Sequence, residues 1–83
     1  MTPIGDAVNI GPTLAAELTA VGVDSVERLR ELGALPSWEL LGGAGMRDCA
    51  NSLLALEGAV RGVRWTSIPQ AERRRLTERA GLG

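Results

Sequence analysis

The 83-residue sequence has no histidine, no lysine, no phenylalanine and no tyrosine, and its one cysteine is Cys49. That inventory cannot form a zinc site or an intramolecular disulfide, and it excludes Ser-His-Asp and Cys-His catalytic pairs. What remains is isolated carboxylates, hydroxyls and one thiol, so the expectation is a chain that is not an enzyme and uses no metal or cofactor. No apolar run approaches the roughly 20 residues of a membrane span. The opening Met1-Thr2-Pro3-Ile4-Gly5-Asp6 lacks the basic start and hydrophobic stretch of a secretory signal. A cytoplasmic, reducing location is expected. With Trp38 and Trp65 as the only aromatics, the core must be built from Leu, Val and Ala. A chain of this length makes one small domain, and so thin an aliphatic core favours dimerisation.

The formal net charge of −1 hides an asymmetry. Residues 1–60 carry three Arg against eight Asp or Glu, a balance of −5, whereas residues 61–83 carry six Arg against Glu72 and Glu78, a balance of +4. Apolar residues make up 45% of the chain, which argues for a folded domain over a disordered one.

Residues 1–8 contain Pro3 and Gly5 and show no helical period, so they read as an N-terminal tail with at most one turn of helix. The domain proper spans 9–83. Pro12 suits the first turn of helix one, where its missing N–H has no partner to lose. Leu14, Leu18 and Val21 follow at helical spacing until Gly22, with Val23 folding back. Asp24-Ser25-Val26-Glu27 reads as a capping box with Asp as the cap, launching helix two with Val26, Leu29 and Leu32 inward as far as Gly33. Pro36 and Ser37 start a shorter helix three through about Leu41, and Gly42-Gly43-Ala44-Gly45 reads as a flexible link. Helix four, from about Asp48 to Arg61, is the most apolar and is expected to be central; Gly58 within it costs about 1 kcal/mol relative to Ala. Ser67-Ile68-Pro69-Gln70 reads as a second capping box before helix five, Pro69 to Ala80. No segment alternates polar and apolar over a strand's length. The class is all-α: a small bundle of about five short helices.

These features resemble the C-terminal domain of the TfoX (Sxy) family, regulators of competence for DNA transformation, over about residues 9–80. The likeness rests on Asn9-Ile10-Gly11-Pro12, on Val21-Gly22-Val23 with Leu29 and Leu32-Gly33-Ala34, on Leu53-Leu54-Ala55-Leu56-Glu57-Gly58-Ala59, and on Trp65 followed by Ile68-Pro69. It implies a helical, helix-hairpin-helix or SAM-like fold and a regulatory setting. Full members usually carry an N-terminal α+β domain for which this chain has no room, so it is expected to be a stand-alone copy or an excised piece.

Three groups of residues carry the binding readings. In helix-hairpin-helix DNA binders a Gly-x-Gly turn offers backbone N–H groups to phosphate. Here Gly11 is present, Asn9 stands where the other glycine would, and Thr13 takes a position that often holds Lys. With Arg73, Arg75 and Arg79 of helix five, Gly11 and Thr13 form the candidate phosphate or DNA contact. Arg75 and Arg79, four apart, share a helix face. Arg64, Trp65 and Arg74 form the candidate protein interface. Beside each stands a plainer reading: Gly11-Pro12 starting a helix, the arginines as a solvated face paired with Glu72 and Glu78, and Trp65 plugging the edge of the core. Cys49 is expected to be an inert core residue, and Glu57 to bond an arginine or backbone on another helix. The leading expectation is a non-catalytic interaction module acting on a protein partner or by self-association as a homodimer. Weak, sequence-independent DNA-backbone binding is the alternative, disfavoured by the acidic balance.

Overall fold

Leu14 and Leu18, one helical turn apart, are buried on the inner side of α1 (Pro12–Ala20). The computed structural model describes residues 1–46 and 49–82. Among these, four further helices follow: α2 (Val26–Leu32), α3 (Ala34–Gly43), α4 (Ala50–Arg61) and α5 (Gln70–Arg79), with 3-10 turns at Ile4–Asp6 and Trp65–Ser67. The all-α bundle expected from the sequence is the observed fold. Leu18, Leu29, Leu41, Leu53, Leu56 and Val23 are fully buried, so the core is aliphatic as the composition requires. Trp38 is buried beside them, and its indole N–H donates to the Cys49 carbonyl at 3.1 Å. That bond removes the cost of burying a lone donor.

α1 ends where Gly22 takes φ +91°, a region closed to most side chains. Its N–H reaches the Thr19 carbonyl, the Val23 N–H reaches Leu18, and Val23 is thereby folded into the core. α4 packs against α2, α3 and α5, the central position its all-round apolar surface requires.

The segment 1–8 carries the single turn the sequence allows, and it is docked. Ile4 is buried, its N–H bonds the Asp24 carbonyl, and Pro3 pairs with Ser25 in an isolated antiparallel bridge.

Several boundaries differ from expectation for local reasons. The cap of α2 is Ser25, whose hydroxyl accepts from the Arg28 N–H at 3.0 Å; Asp24 lies outside, and Glu27 instead accepts from the Thr2 N–H and hydroxyl. α3 begins at Ala34, because Gly33 (φ +88°) both closes α2 and opens α3, placing Pro36 within the first turn where it blocks no bond. Gly42 and Gly43 are helical, and Gly45 closes α3 through bonds from Gly45 to Gly42 and from Met46 to Leu41. This is an ordered helix stop in place of a flexible link. Asp48, the expected start of helix four, lies outside the described residues; Cys49 caps α4 and is exposed, not a core residue. The second capping box does not form either: Ser67 sits in the 3-10 turn, and Pro69 precedes α5 without a side-chain cap.

Candidate interaction surface

The start of α1 opens onto a cleft of about 420 Å³, where Gly11 and Thr13 face Cys49, Asn51 and Ser52 from the first turn of α4. Gly11 is the cap residue in extended conformation and Pro12 occupies the first helical position, so that turn offers one backbone donor fewer than usual. Asn9 also lines this cleft, but its carboxamide is engaged with the protein itself. It adopts φ +71° and turns its carboxamide inward. Its Nδ2 donates to the Val63 carbonyl at 3.0 Å and to Ala55 at 3.4 Å, while its Oδ1 accepts from the Trp65 N–H at 3.4 Å. Asn9 therefore ties the turn before α1 to the end of α4 and to the Trp65 turn. Only the positive φ was readable in the sequence, since asparagine is among the non-glycine side chains most at ease there; the bonds to Val63 and Trp65 were not.

A second cleft, of about 210 Å³, lies along the seam of α4 and α5 and is lined by Glu57, Arg61, Glu72, Arg75, Leu76 and Arg79. Arg61 is its hub. Its Nε donates to Glu57 at 2.7 Å within α4, and its Nη1 donates to Glu72 at 2.8 Å across to α5. Glu57 thus bonds an arginine of its own helix, not of another; Arg61 makes the crossing. The bonds to Glu57 and then Glu72 raise the Arg61 pKa further above its ordinary value, so the hub stays cationic at every accessible pH. The i,i+4 spacing of Glu57 and Arg61 was readable in the sequence. The bond to Glu72 was not, because it depends on how α5 crosses α4.

Arg73 sits apart from Arg75 and Arg79. Its guanidinium carbon lies 5.6 Å from the centre of the Trp65 ring, and its Nε is buried without a hydrogen-bond partner. Trp65 is half-buried and packs against the edge of the core. A third, shallower cleft of about 290 Å³ runs beside it, lined by Leu54, Gln70, Arg73, Arg74 and Thr77. Arg64 is exposed just before the Trp65 turn. Among the described residues no ion pair engages Arg64, Arg74, Arg75 or Arg79.

The fold therefore unites Arg75 and Arg79 with Arg61, and Arg73 with Trp65 and Arg74. Gly11 and Thr13 line a separate cleft, which shares no lining residue with the two arginine clefts described.

The family model of the TfoX C-terminal domain matches residues 1–80. A crystal structure of an uncharacterized protein from Listeria monocytogenes, in a triclinic form, is 26% identical with a TM-score of 0.89, over 95% of this chain and 90% of that one. A second, a protein of unknown function from Listeria monocytogenes in a tetragonal form, is 27% identical with a TM-score of 0.87, over 96% of this chain and 100% of that one. No curated protein matches the sequence.

Proposed function

The chain belongs to the TfoX C-terminal domain family, and we propose that it is a non-catalytic, cytoplasmic regulatory module that works through protein contacts. The setting of competence and DNA transformation is the one its family resemblance implies. The observation that carries this reading is the composition of the α4–α5 cleft. Three guanidiniums there stand against the carboxylates of Glu57 and Glu72, a local balance of only +1. A polyphosphate backbone approaching Arg75 and Arg79 meets those two carboxylates, and each repels it. A protein surface of mixed charge pairs with both signs and loses less. The helix-hairpin-helix alternative needs the turn at Gly11 and Thr13 to act together with the arginines, and these lie in different clefts.

Two measurements test the reading. Cross-linking of the chain in its native cell should recover protein adducts. Titration of a labelled duplex at low and high ionic strength should show no salt-sensitive binding. Adducts to nucleic acid alone, together with duplex binding that steepens as salt is lowered, would reverse the assignment.

A further inference from the structure

Resting on the protein-contact reading, we infer that the partner of the α5 arginines is a second copy of this chain, engaged head to tail through the acidic corner where the N-terminal segment meets α2. Two surfaces on the molecule are complementary, and the fold does not let one molecule join them. The first is the exposed surface of α5, where Arg75 and Arg79 edge the seam with α4, Arg74 borders the cleft beside Trp65 and Glu78 shares the helix face; the three arginines are exposed and outside any ion pair among the described residues. The second is built by the docking of residues 2–6. The bond from the Ile4 N–H to the Asp24 carbonyl and the clasp of Thr2 on Glu27 bring the Ile4–Asp6 turn beside the start of α2. The joined turn and helix start thus carry three exposed carboxylates, Asp6, Asp24 and Glu27, with the N-terminal ammonium in electrostatic reach of Glu27 alone among them and with Asp6 and Asp24 in no ion pair among the described residues.

The N-terminal turn packs on α1 and α2, whereas α5 packs on α4. The basic and acidic patches thus belong to different sides of the bundle and remain open within one molecule. The wider charge split, −5 over residues 1–60 and +4 over 61–83, has the same direction. Two copies placed α5 to corner bring the guanidiniums of Arg74, Arg75 and Arg79 onto the carboxylates of Asp6 and Asp24, none of them in an ion pair among the described residues, with Glu57 and Glu72 set back on Arg61. The contact joins unlike surfaces, so each copy keeps one donor and one acceptor patch. Association closes as a ring or continues as a chain.

Sedimentation of the purified intact chain over a range of concentrations reads this directly. At low ionic strength the average mass should rise with concentration above the 8.7 kDa monomer, and salt should return it to that value. The variants R75E/R79E and D6R/D24R should each weaken self-association by about tenfold or more, since like charges then face one another. Mixing the two variants should restore assembly, because each supplies the surface the other now complements. Restoration also shows that both variants fold. A wild-type chain that stays monomeric at low salt overturns the inference while leaving contact with a different protein intact, as cross-linking would show. Association unchanged by either variant overturns it as well. So does a chain that remains monomeric and binds a short duplex through Arg75 and Arg79; that result would sink the protein-contact reading too.

Discussion

The carboxamide of Asn9 lies against the Cα of Gly58, so closely that a Cβ at position 58 would collide with its Nδ2. The same Cβ would come within 2.7 Å of the Val63 carbonyl oxygen and 3.0 Å of the Trp65 backbone nitrogen. A mid-helix glycine normally loses about 1 kcal/mol to alanine through propensity. Here close approach outweighs that, because two of the three obstructing atoms are backbone. G58A should therefore destabilise by about 1–3 kcal/mol in spite of its better helix propensity. N9G, which keeps the positive φ but drops the amide, should relieve only the side-chain part of the collision. The double variant N9G/G58A should recover part of the G58A loss in denaturant unfolding, and strict additivity would show the two positions to be independent.

The cap of α2 can be assigned by two substitutions. Ser25 is buried and its hydroxyl accepts the Arg28 N–H, while Asp24 is exposed and makes no cap bond. S25A should lower stability by about 1 kcal/mol, and D24A should change it little. Equal losses in thermal unfolding would return the cap to Asp24.

The all-α class, the central α4 and the aliphatic core were legible because each rests on periodicity and composition. Gly22 and Val23 could be read as a helix stop, since the left-handed turn and its hydrophobic partner are adjacent in the chain. The starts of α2 and α3 are ambiguous in the sequence because two good signals compete within a few residues. Asp24 and Ser25 are both strong caps, and the structure chooses Ser25 because the antiparallel pairing with Pro3 aligns it. The Pro36-Ser37 pair looks like a helix start, yet Gly33 can open the helix two residues sooner. The site was less legible than the fold. Arg61 bonding Glu72, Arg73 stacking on Trp65, and Asn9 reaching Val63 all join residues on separate elements, so sequence spacing carries no trace of them.

The Thr2–Glu27 clasp should give the chain an acid-sensitive step. The Thr2 N–H and, further down, its hydroxyl hold the Glu27 pKa below its ordinary value. A carboxylate with a lowered folded pKa contributes stability in full above its unfolded value and loses it as pH falls through the folded one. The contribution is thus present near neutrality and disappears below about pH 4.5. E27Q should flatten the fall in melting temperature between about pH 6 and about pH 3 relative to the parent chain. Parallel curves for the two proteins would mean that the clasp does not form in solution.

Removing Arg61 should loosen α5 more than a surface ion pair ordinarily would. Its side chain is 37% exposed, so each bond alone is screened and contributes little. Its loss, however, leaves Glu57 and Glu72 facing one another across the seam without a counter-charge. R61A should cost about 1 kcal/mol, and R61K should recover less than half of it, since one ammonium cannot reproduce two donors set in a planar fork. Hydrogen exchange confined to α5 is the readout. Protection that falls equally in all helices would assign Arg61 to the global fold instead of the seam.

Arg73 sets two effects of opposite sign against each other. Its guanidinium over Trp65 is worth about 0.5–1 kcal/mol at a partly exposed site. Its buried Nε without a partner costs about 1–3 kcal/mol, and the larger magnitude decides the outcome. R73M keeps the stem packed on the indole and deletes the stranded donor, so it should match the parent in stability or exceed it slightly. R73A removes the stem as well and should fall below both, because the ring of Trp65 then loses its cover. Unfolding midpoints in denaturant separate the three proteins. A methionine variant as weak as the alanine one would show that the charge itself, not the hydrocarbon beneath it, keeps Trp65 against the core.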